Sequence, residues 1–155
     1  GKLSVESSNQ ALDVQNQSAL MGSYFILGGQ IQNQEPNLLL IYPEGNFIYV
    51  SQEQPYLQIG ETKYGKPILD RMINEDTPIG DSARVALLSL DSTMRSDLTV
   101  GPPIDFVVYK KDHMHLEYQG RYKLNSPYFK EMSDTWATKL SDAIHSLPKF
   151  SWEEE

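Results

Sequence analysis

The order in which strand-like and helix-like patterns follow one another constrains the fold of this chain most. Apolar runs bounded by turn residues predict strands over 23–31, 37–42, 47–50, 56–60, 104–109 and 116–122. Helical apolar spacing predicts helices over 64–72, 81–95 and 126–147. Because strands and helices come in separate groups, the sequence predicts an α+β fold, an antiparallel sheet with helices packed on it. The first of these strands is expected to be buried.

The apolar faces of the two long helices identify the expected core. The face expected to be buried on the helix over 81–95 consists of Ala83, Ala86, Leu87, Leu90 and Met94. The corresponding face of the last helix consists of Phe129, Met132, Trp136, Leu140, Ile144 and Leu147. Pro67 is tolerated only in the first turn of its helix, and Pro148 ends the last one.

Composition sets the expected domain boundaries and excludes some classes of binding partner. The chain has 155 residues, no Cys and a net charge of −8. We expect one domain over 23–152, a poorly ordered or helical segment over 1–22 and an acidic tail over 153–155. An acidic chain is not expected to bind a nucleic-acid backbone. Since its apolar runs stay well below the about 20 residues that span a bilayer, we expect no membrane partner and a cytoplasmic protein.

Two short motifs partly match known types of ligand-binding site. Gly60–Pro67 nearly matches a phosphate-binding loop, but Pro67 stands where the hydroxyl that holds magnesium belongs. His113 and His115 would share one face of a strand, with Asp112 and Glu117 nearby, so this group could hold a metal ion. The sequence singles out no third ligand, and a solvated turn explains the same residues. We therefore expect no cofactor and no metal site.

The densest polar stretch runs from Leu90 to Pro103 and follows a predicted helix. Loops at helix ends often carry functional residues. Asp91 and Arg95, which are four residues apart, would equally form an ordinary surface ion pair. Composition alone leaves both interpretations open.

Four strings carry a resemblance to a known family. In chain order they are Phe25–Gln30, Leu40–Asn46, Gln58–Asp70 and Leu90–Pro103. Together they resemble the Anbu family, bacterial proteasome-type proteases also described as ancestral β subunits, over residues 23–152. The resemblance implies a proteasome-like N-terminal-nucleophile (Ntn) hydrolase fold. This chain would be its C-terminal part, a partial αββα sandwich.

The resemblance also implies a peptidase mechanism. The nucleophile of the family is the first residue of the mature subunit, typically a threonine, and its free α-amino group or a nearby water acts as the base. Gly1 has no side chain to attack with, and the family's N-terminal strands have no counterpart in this sequence. We expect the full-length assembled protein to hydrolyse peptide bonds, and this chain alone to be inactive.

Three residues receive supporting roles through the resemblance. Gly60 stands where proteasome subunits place a Gly-Ser pair near the nucleophile, although the serine is absent here. The proteasome pattern Arg-Asp-x-x-Ser-Gly aligns with the stretch that ends at Gly101, and this gives Asp97 the role of positioning the nucleophile's amine. Thr99 could stand in for the serine. A rival register would promote Asp91, but the spacing to Gly101 favours Asp97.

Relatives of this fold form rings or open helical rings of identical subunits. The resemblance therefore implies peptide substrates and self-association of the full-length protein. A chain that holds only part of the sandwich is expected to expose an apolar sheet face and to dimerise through it. The alternative is a non-enzymatic self-assembling or binding module that keeps the proteasome-like fold.

Overall fold

The computed structural model describes residues 22–153. Residues 1–21 of the segment expected to be poorly ordered or helical, and the last two residues of the acidic tail, lie outside the described residues. Glu153, the first residue of that tail, lies in a short 3₁₀ turn, Ser151–Glu153. The described part is an α+β arrangement of antiparallel sheets and helices, which confirms the fold class predicted from the order of the patterns.

The first sheet is an antiparallel meander of three strands. In chain order they are β1 (Phe25–Gly29), β2 (Asn37–Ile41) and β3 (Phe47–Tyr49). The strand pairs follow the predicted apolar runs, with Phe25 opposite Ile41 and Leu39 opposite Tyr49. At the turn between β2 and β3, Gly45 adopts a φ of +90°, a conformation that glycine reaches without strain.

The expected burial of β1 is wrong, because all five of its residues are exposed. Phe25 and Leu27 are each 57% exposed, and Phe47 and Tyr49 on the same sheet face are 54% and 56% exposed. Cross-strand pairing places these four side chains on one face. Within residues 22–153, no second layer covers that face, so its apolar character did not produce burial.

The predicted strand over Tyr56–Gly60 is also wrong. The segment has no regular secondary structure and forms no ladder with any strand of the described chain. Pro55 precedes it, and a proline lacks the N–H that a ladder requires. The segment is held by side chains instead, because the Tyr56 hydroxyl bonds to Asp70 and accepts from Lys66 Nζ at 3.1 Å.

The first two helices meet at a glycine. They are α1 (Lys66–Met72) and α2 (Ile79–Ser96), and Pro67 lies in the first turn of α1 as predicted. A Cβ on the buried Gly65 would lie 3.0 Å from the Ser89 carbonyl oxygen and 3.2 Å from Thr93 Oγ1. A side chain at this position would therefore require α1 and α2 to move apart by a few tenths of an ångström.

The buried face of α2 is partly polar, which its apolar spacing did not predict. Its buried residues are Val85, Leu87, Ser89, Asp91 and Thr93. Of the face expected to be buried, only Leu87 reaches full burial, and Leu90 is exposed. The physical reason is the close contact at Gly65, which favours small hydroxyl side chains that bond to their own helix. Thr93 Oγ1 donates to the Ser89 carbonyl at 2.8 Å.

The second sheet is a hairpin that matches the sequence prediction. Its strands are β4 (Ile104–Tyr109) and β5 (Leu116–Tyr122). The ring of Tyr122 lies 6.2 Å from that of Phe106 and 6.5 Å from that of Phe129 on the following helix, measured between centroids. These aromatic contacts join the hairpin to that helix.

The last helix, α3 (Pro127–His145), is buried only in its N-terminal half. Phe129 and Ser133 are its buried residues, whereas Leu140 and Ile144 are 46% and 66% exposed. The expected inward face is therefore wrong for the C-terminal half, against which the described residues place no covering element. None of the helices of residues 22–153 combines the length and apolar character needed to cross a membrane.

Candidate functional site

Asp97 and Thr99 come together just beyond the last residue of α2. The Asp97 backbone N–H still bonds to the Thr93 carbonyl at 2.8 Å, and the chain then leaves the helix in an extended conformation. Asp97 Oδ1 accepts from the Thr99 backbone N–H at 2.8 Å and from the Thr99 hydroxyl at 2.7 Å. The predicted pair is therefore a direct contact, a turn closed by the aspartate side chain.

This contact keeps the Asp97 carboxyl in its charged form. The Thr99 hydroxyl, and after it the Thr99 N–H, hold the pKa of Asp97 below its ordinary value of 3.8. Within residues 22–153, the second carboxylate oxygen, Oδ2, has no hydrogen-bond partner. The site thus offers a fixed anion with one oxygen available to an incoming cationic or N–H group.

Asp91, the rival candidate, belongs to a different contact. Its buried carboxylate accepts from Ser133 Oγ at 2.8 Å and pairs with Arg95 Nε at 3.0 Å. Arg95 Nη2 also donates to Ser133 Oγ at 2.7 Å, which closes a triangle between α2 and α3. Both carboxylate oxygens of Asp91 are occupied, so the arrangement is a helix-to-helix connection. Ser133 was not singled out from the sequence, since one polar residue on a helix gives no signal.

A pocket of about 430 Å³ lies beside this triangle. Its lining includes Asp91, Arg95, Val100, Pro102, Leu124 and Lys130. The pocket opens between the end of α2 and the start of α3, next to the loop that carries Asp97. It combines apolar walls with two acids, of which Asp91 is paired, and with exposed basic groups.

Gly60 lies in the turn that leads toward α1. Its φ of +82° is in the left-handed region that favours glycine, and a Cβ there would meet nothing within 4 Å. The glycine is therefore needed for its backbone conformation and not for lack of space. Within the described residues, no hydrogen bond joins Gly60 to Asp97. Its approach to a nucleophile stays a prediction.

In the stretch that nearly matches a phosphate-binding loop, the lysine is engaged by a neighbouring carboxylate. Lys66, which would contact phosphates, bonds to both Asp70 oxygens at 2.7 and 2.9 Å. The pKa of Lys66 is raised mainly by this hydrogen bond to Asp70, and that of Asp70 is lowered mainly by Lys66. The lysine is already paired within its own helix.

The turn between β4 and β5 brings together the side chains of His113, His115 and Glu117. One possible ligand atom from each lies within 4.8 Å of the other two, and all three residues are exposed. The pKa of Glu117 is lowered first by the Lys110 ammonium and then by His113. The sequence indicated the two histidines, with Asp112 and Glu117 nearby, but singled out no third ligand, and the structure places Glu117 in that position.

Known structures of similar proteins were compared with this fold. No protein-family model and no curated protein matches the chain. An Anbu (Gly-1) mutant from Hyphomicrobium sp. strain MC1 is 45% identical, covers 84% of this chain and 56% of its own, and has a TM-score of 0.81. Anbu (ancestral beta-subunit) from Yersinia bercovieri is 39% identical, covers 94% and 62%, and has a TM-score of 0.84.

A third structure extends the comparison to an assembly. The helical assembly of the Anbu complex from Pseudomonas aeruginosa is 40% identical, covers 96% of this chain and 59% of its own, with a TM-score of 0.83. The fold and these similarities define a proteasome-like subunit. The chain belongs to the Anbu family, which confirms the resemblance found in the sequence. It spans less than two thirds of the length of these three relatives.

Proposed function

We propose that this chain is the C-terminal part of a proteasome-type Ntn peptidase subunit. In the full-length assembled protein, the subunit hydrolyses peptide bonds, and the present residues supply support without turnover of their own. Membership of the Anbu family supports the subunit class. The Ntn chemistry, the peptide substrates and a cytoplasmic location follow from the resemblance and belong to the proposal.

One observation carries the catalytic part of the proposal, namely the geometry of Asp97. An ionised carboxylate at a helix end, with Oδ1 fixed by Thr99 and Oδ2 available, suits a group that positions an amine. In the proposed reaction, the α-amino group of the nucleophilic residue accepts the proton of the attacking hydroxyl. Asp97 acts by orienting that amine and stabilising the positive charge that it acquires.

Gly60 and Thr99 have secondary roles in this proposal. Thr99 fixes the carboxylate, so its hydroxyl acts through Asp97 and does not contact the substrate. Gly60 contributes a turn without a side chain, which leaves space for a nucleophile supplied by another part of the subunit. Both are positioning residues.

The test is peptide hydrolysis by the protein expressed from its complete reading frame, with and without a reagent that traps N-terminal nucleophiles. Asp97→Asn should lower kcat about 100-fold, the lower range for a positioned proton-transfer group, with KM unchanged. Asp142→Asn, an exposed acid on α3, is the matched control and should retain full turnover.

Two outcomes would contradict the assignment. Unchanged kcat in Asp97→Asn would show that Asp97 does not position the nucleophile. Loss of kcat in Asp91→Asn with an unchanged unfolding midpoint would favour the rival register. A complete protein that neither reacts with the trap nor cleaves any peptide would remove the peptidase proposal.

A second function, a self-assembling module without turnover, also has support. The similar protein from Pseudomonas aeruginosa forms a helical assembly, and the exposed face of β1–β3 is apolar. We propose that the full-length protein self-associates and that this chain dimerises through that face. Light scattering at micromolar concentration tests the dimer, and Leu27→Glu should abolish it. A monomer before the substitution would refute the dimer.

A further inference from the structure

We propose that the β4–β5 turn is a Zn²⁺ site with His113, His115 and Glu117 as its protein ligands. Nothing in the proposed peptidase function requires this site, so the two proposals stand or fall separately. Two imidazoles, a carboxylate and a water form one of the donor sets that zinc takes in proteins. The exposure of the group leaves room for that water.

The distances are compatible with coordination after small side-chain movements. One candidate ligand atom from each residue lies within 4.8 Å of the others. Ligand atoms around a tetrahedral zinc ion lie about 3.3 Å apart, as its bond lengths of about 2.0–2.1 Å require. Exposed histidine and glutamate side chains can close this difference by small rotations, without a change in the backbone.

The tautomer of His115 is already set for binding. Its Nδ1 lies 2.6 Å from the backbone carbonyl oxygen of His113. A carbonyl can only accept, so Nδ1 carries the hydrogen and the neutral ring presents the lone pair of Nε2. Zinc-bound histidines generally donate their other N–H to such an acceptor.

Neighbouring groups also orient the carboxylate of Glu117. Lys110 Nζ lies 2.9 Å from Glu117 Oε1, while Oε2 lies 2.9 Å from His113 Nδ1. One oxygen is thus held by the lysine and the other faces the imidazole. Hydrogen bonds that fix a carboxylate ligand from outside are a regular feature of metal sites.

The backbone of the turn is held in place by contacts with the first sheet. Asp112 and Met114 have φ values of +67° and +54°, which alternate with the two histidines. Gln30 accepts from the Asp112 backbone N–H at 2.7 Å, and Lys111 pairs with Glu35 at 2.7 Å. Preorganisation of this kind lowers the entropic cost of binding a ligand.

The experiment is calorimetric titration of the full chain with Zn²⁺, repeated with Co²⁺, whose visible absorption reports tetrahedral coordination. We expect one equivalent to bind. His113→Asn, His115→Asn and Glu117→Gln should each weaken binding by at least about tenfold, the lower range for disturbing a metal site. The third histidine of the chain, His145, is exposed on α3 and provides the matched control. His145→Asn should leave affinity unchanged.

Each result decides the proposal. Absence of binding, or equal affinity in the wild type and the His113→Asn variant, would refute the site. Equal affinity in Glu117→Gln would refute the three-ligand set. Because the three side chains are exposed, the variants should keep the metal-free unfolding midpoint, so lost binding will not reflect lost folding. Zn²⁺ should raise the midpoint of the wild type and not that of His113→Asn.

Discussion

Ser133→Ala should be the most informative single substitution at the contact between α2 and α3. It removes the hydroxyl that donates to Asp91 Oδ1 at 2.8 Å and accepts from Arg95 Nη2 at 2.7 Å. The Arg95 side chain is 60% exposed and can bind water instead, whereas that of Asp91 is only 8% exposed. The loss therefore falls mainly on Asp91.

The expected magnitude follows from that difference. A hydrogen bond to a charged group contributes about 1.5–3 kcal/mol, and leaving a buried acceptor without a donor costs a similar amount. Alanine is intrinsically favoured over serine in a helix by about 0.5 kcal/mol. Ser133→Ala should thus lower the free energy of unfolding by about 1–2.5 kcal/mol.

Urea denaturation of the full chain, followed by tryptophan fluorescence, to which Trp136 on the same helix contributes, measures this change. Ser141→Ala is the matched control, because Ser141 lies on α3 with an exposed side chain. It should be neutral or slightly stabilising. If Ser133→Ala destabilises the chain no more than Ser141→Ala does, the hydrogen bonds of the triangle do not stabilise the contact between the helices.

Two further predictions concern the neighbouring segments. Gly65→Ala should destabilise the chain by about 1–3 kcal/mol because its Cβ would overlap α2; Gly101→Ala, whose Cβ would meet nothing within 4 Å, should not. The pKa of Asp97 is lowered in the folded state. Its stabilising contribution is therefore present above the ordinary value of 3.8 and lost as the pH falls through the folded pKa. Unfolding midpoints measured from about pH 5 to about pH 3 should fall less steeply in Asp97→Asn than in the wild type. Equal slopes would contradict this role of Thr99.

Strands whose partners are adjacent in sequence could be predicted well. β4 and β5 have the predicted bounds, because a hairpin needs only local apolar runs and a polar turn. Tyr56–Gly60 shows a similar run but lacks a pairing strand in the described chain, so apolar character alone misled the prediction. Burial was predicted poorly for the same reason. It depends on which surfaces meet, as the exposed strand β1 shows.

The candidate site was predictable only in part. The resemblance pointed to Asp97 and Thr99, and the structure joins them by two hydrogen bonds. Asp91 and Arg95 were recognised as a possible pair from their spacing, but Ser133 lies 42 residues from Asp91 and gives no signal. Glu117 joins the two histidines because the hairpin brings its side chain beside theirs. Long-range side-chain contacts of this kind require the fold.

The hydrogen-bonded triangle of Asp91, Arg95 and Ser133 also fixes the position of α3 along α2. A slide of α3 by one helical turn, about 5.4 Å, would replace Ser133 opposite Asp91 with Phe129 or Ala137, neither of which has a side-chain donor. Asp91 Oδ1 would then lose its donor, although Arg95 on the same helix would still pair with Oδ2, so the displaced packing would be less stable. The contact therefore disfavours sliding of one helix along the other and sets their alignment. The position of the loop that follows α2 depends on that alignment.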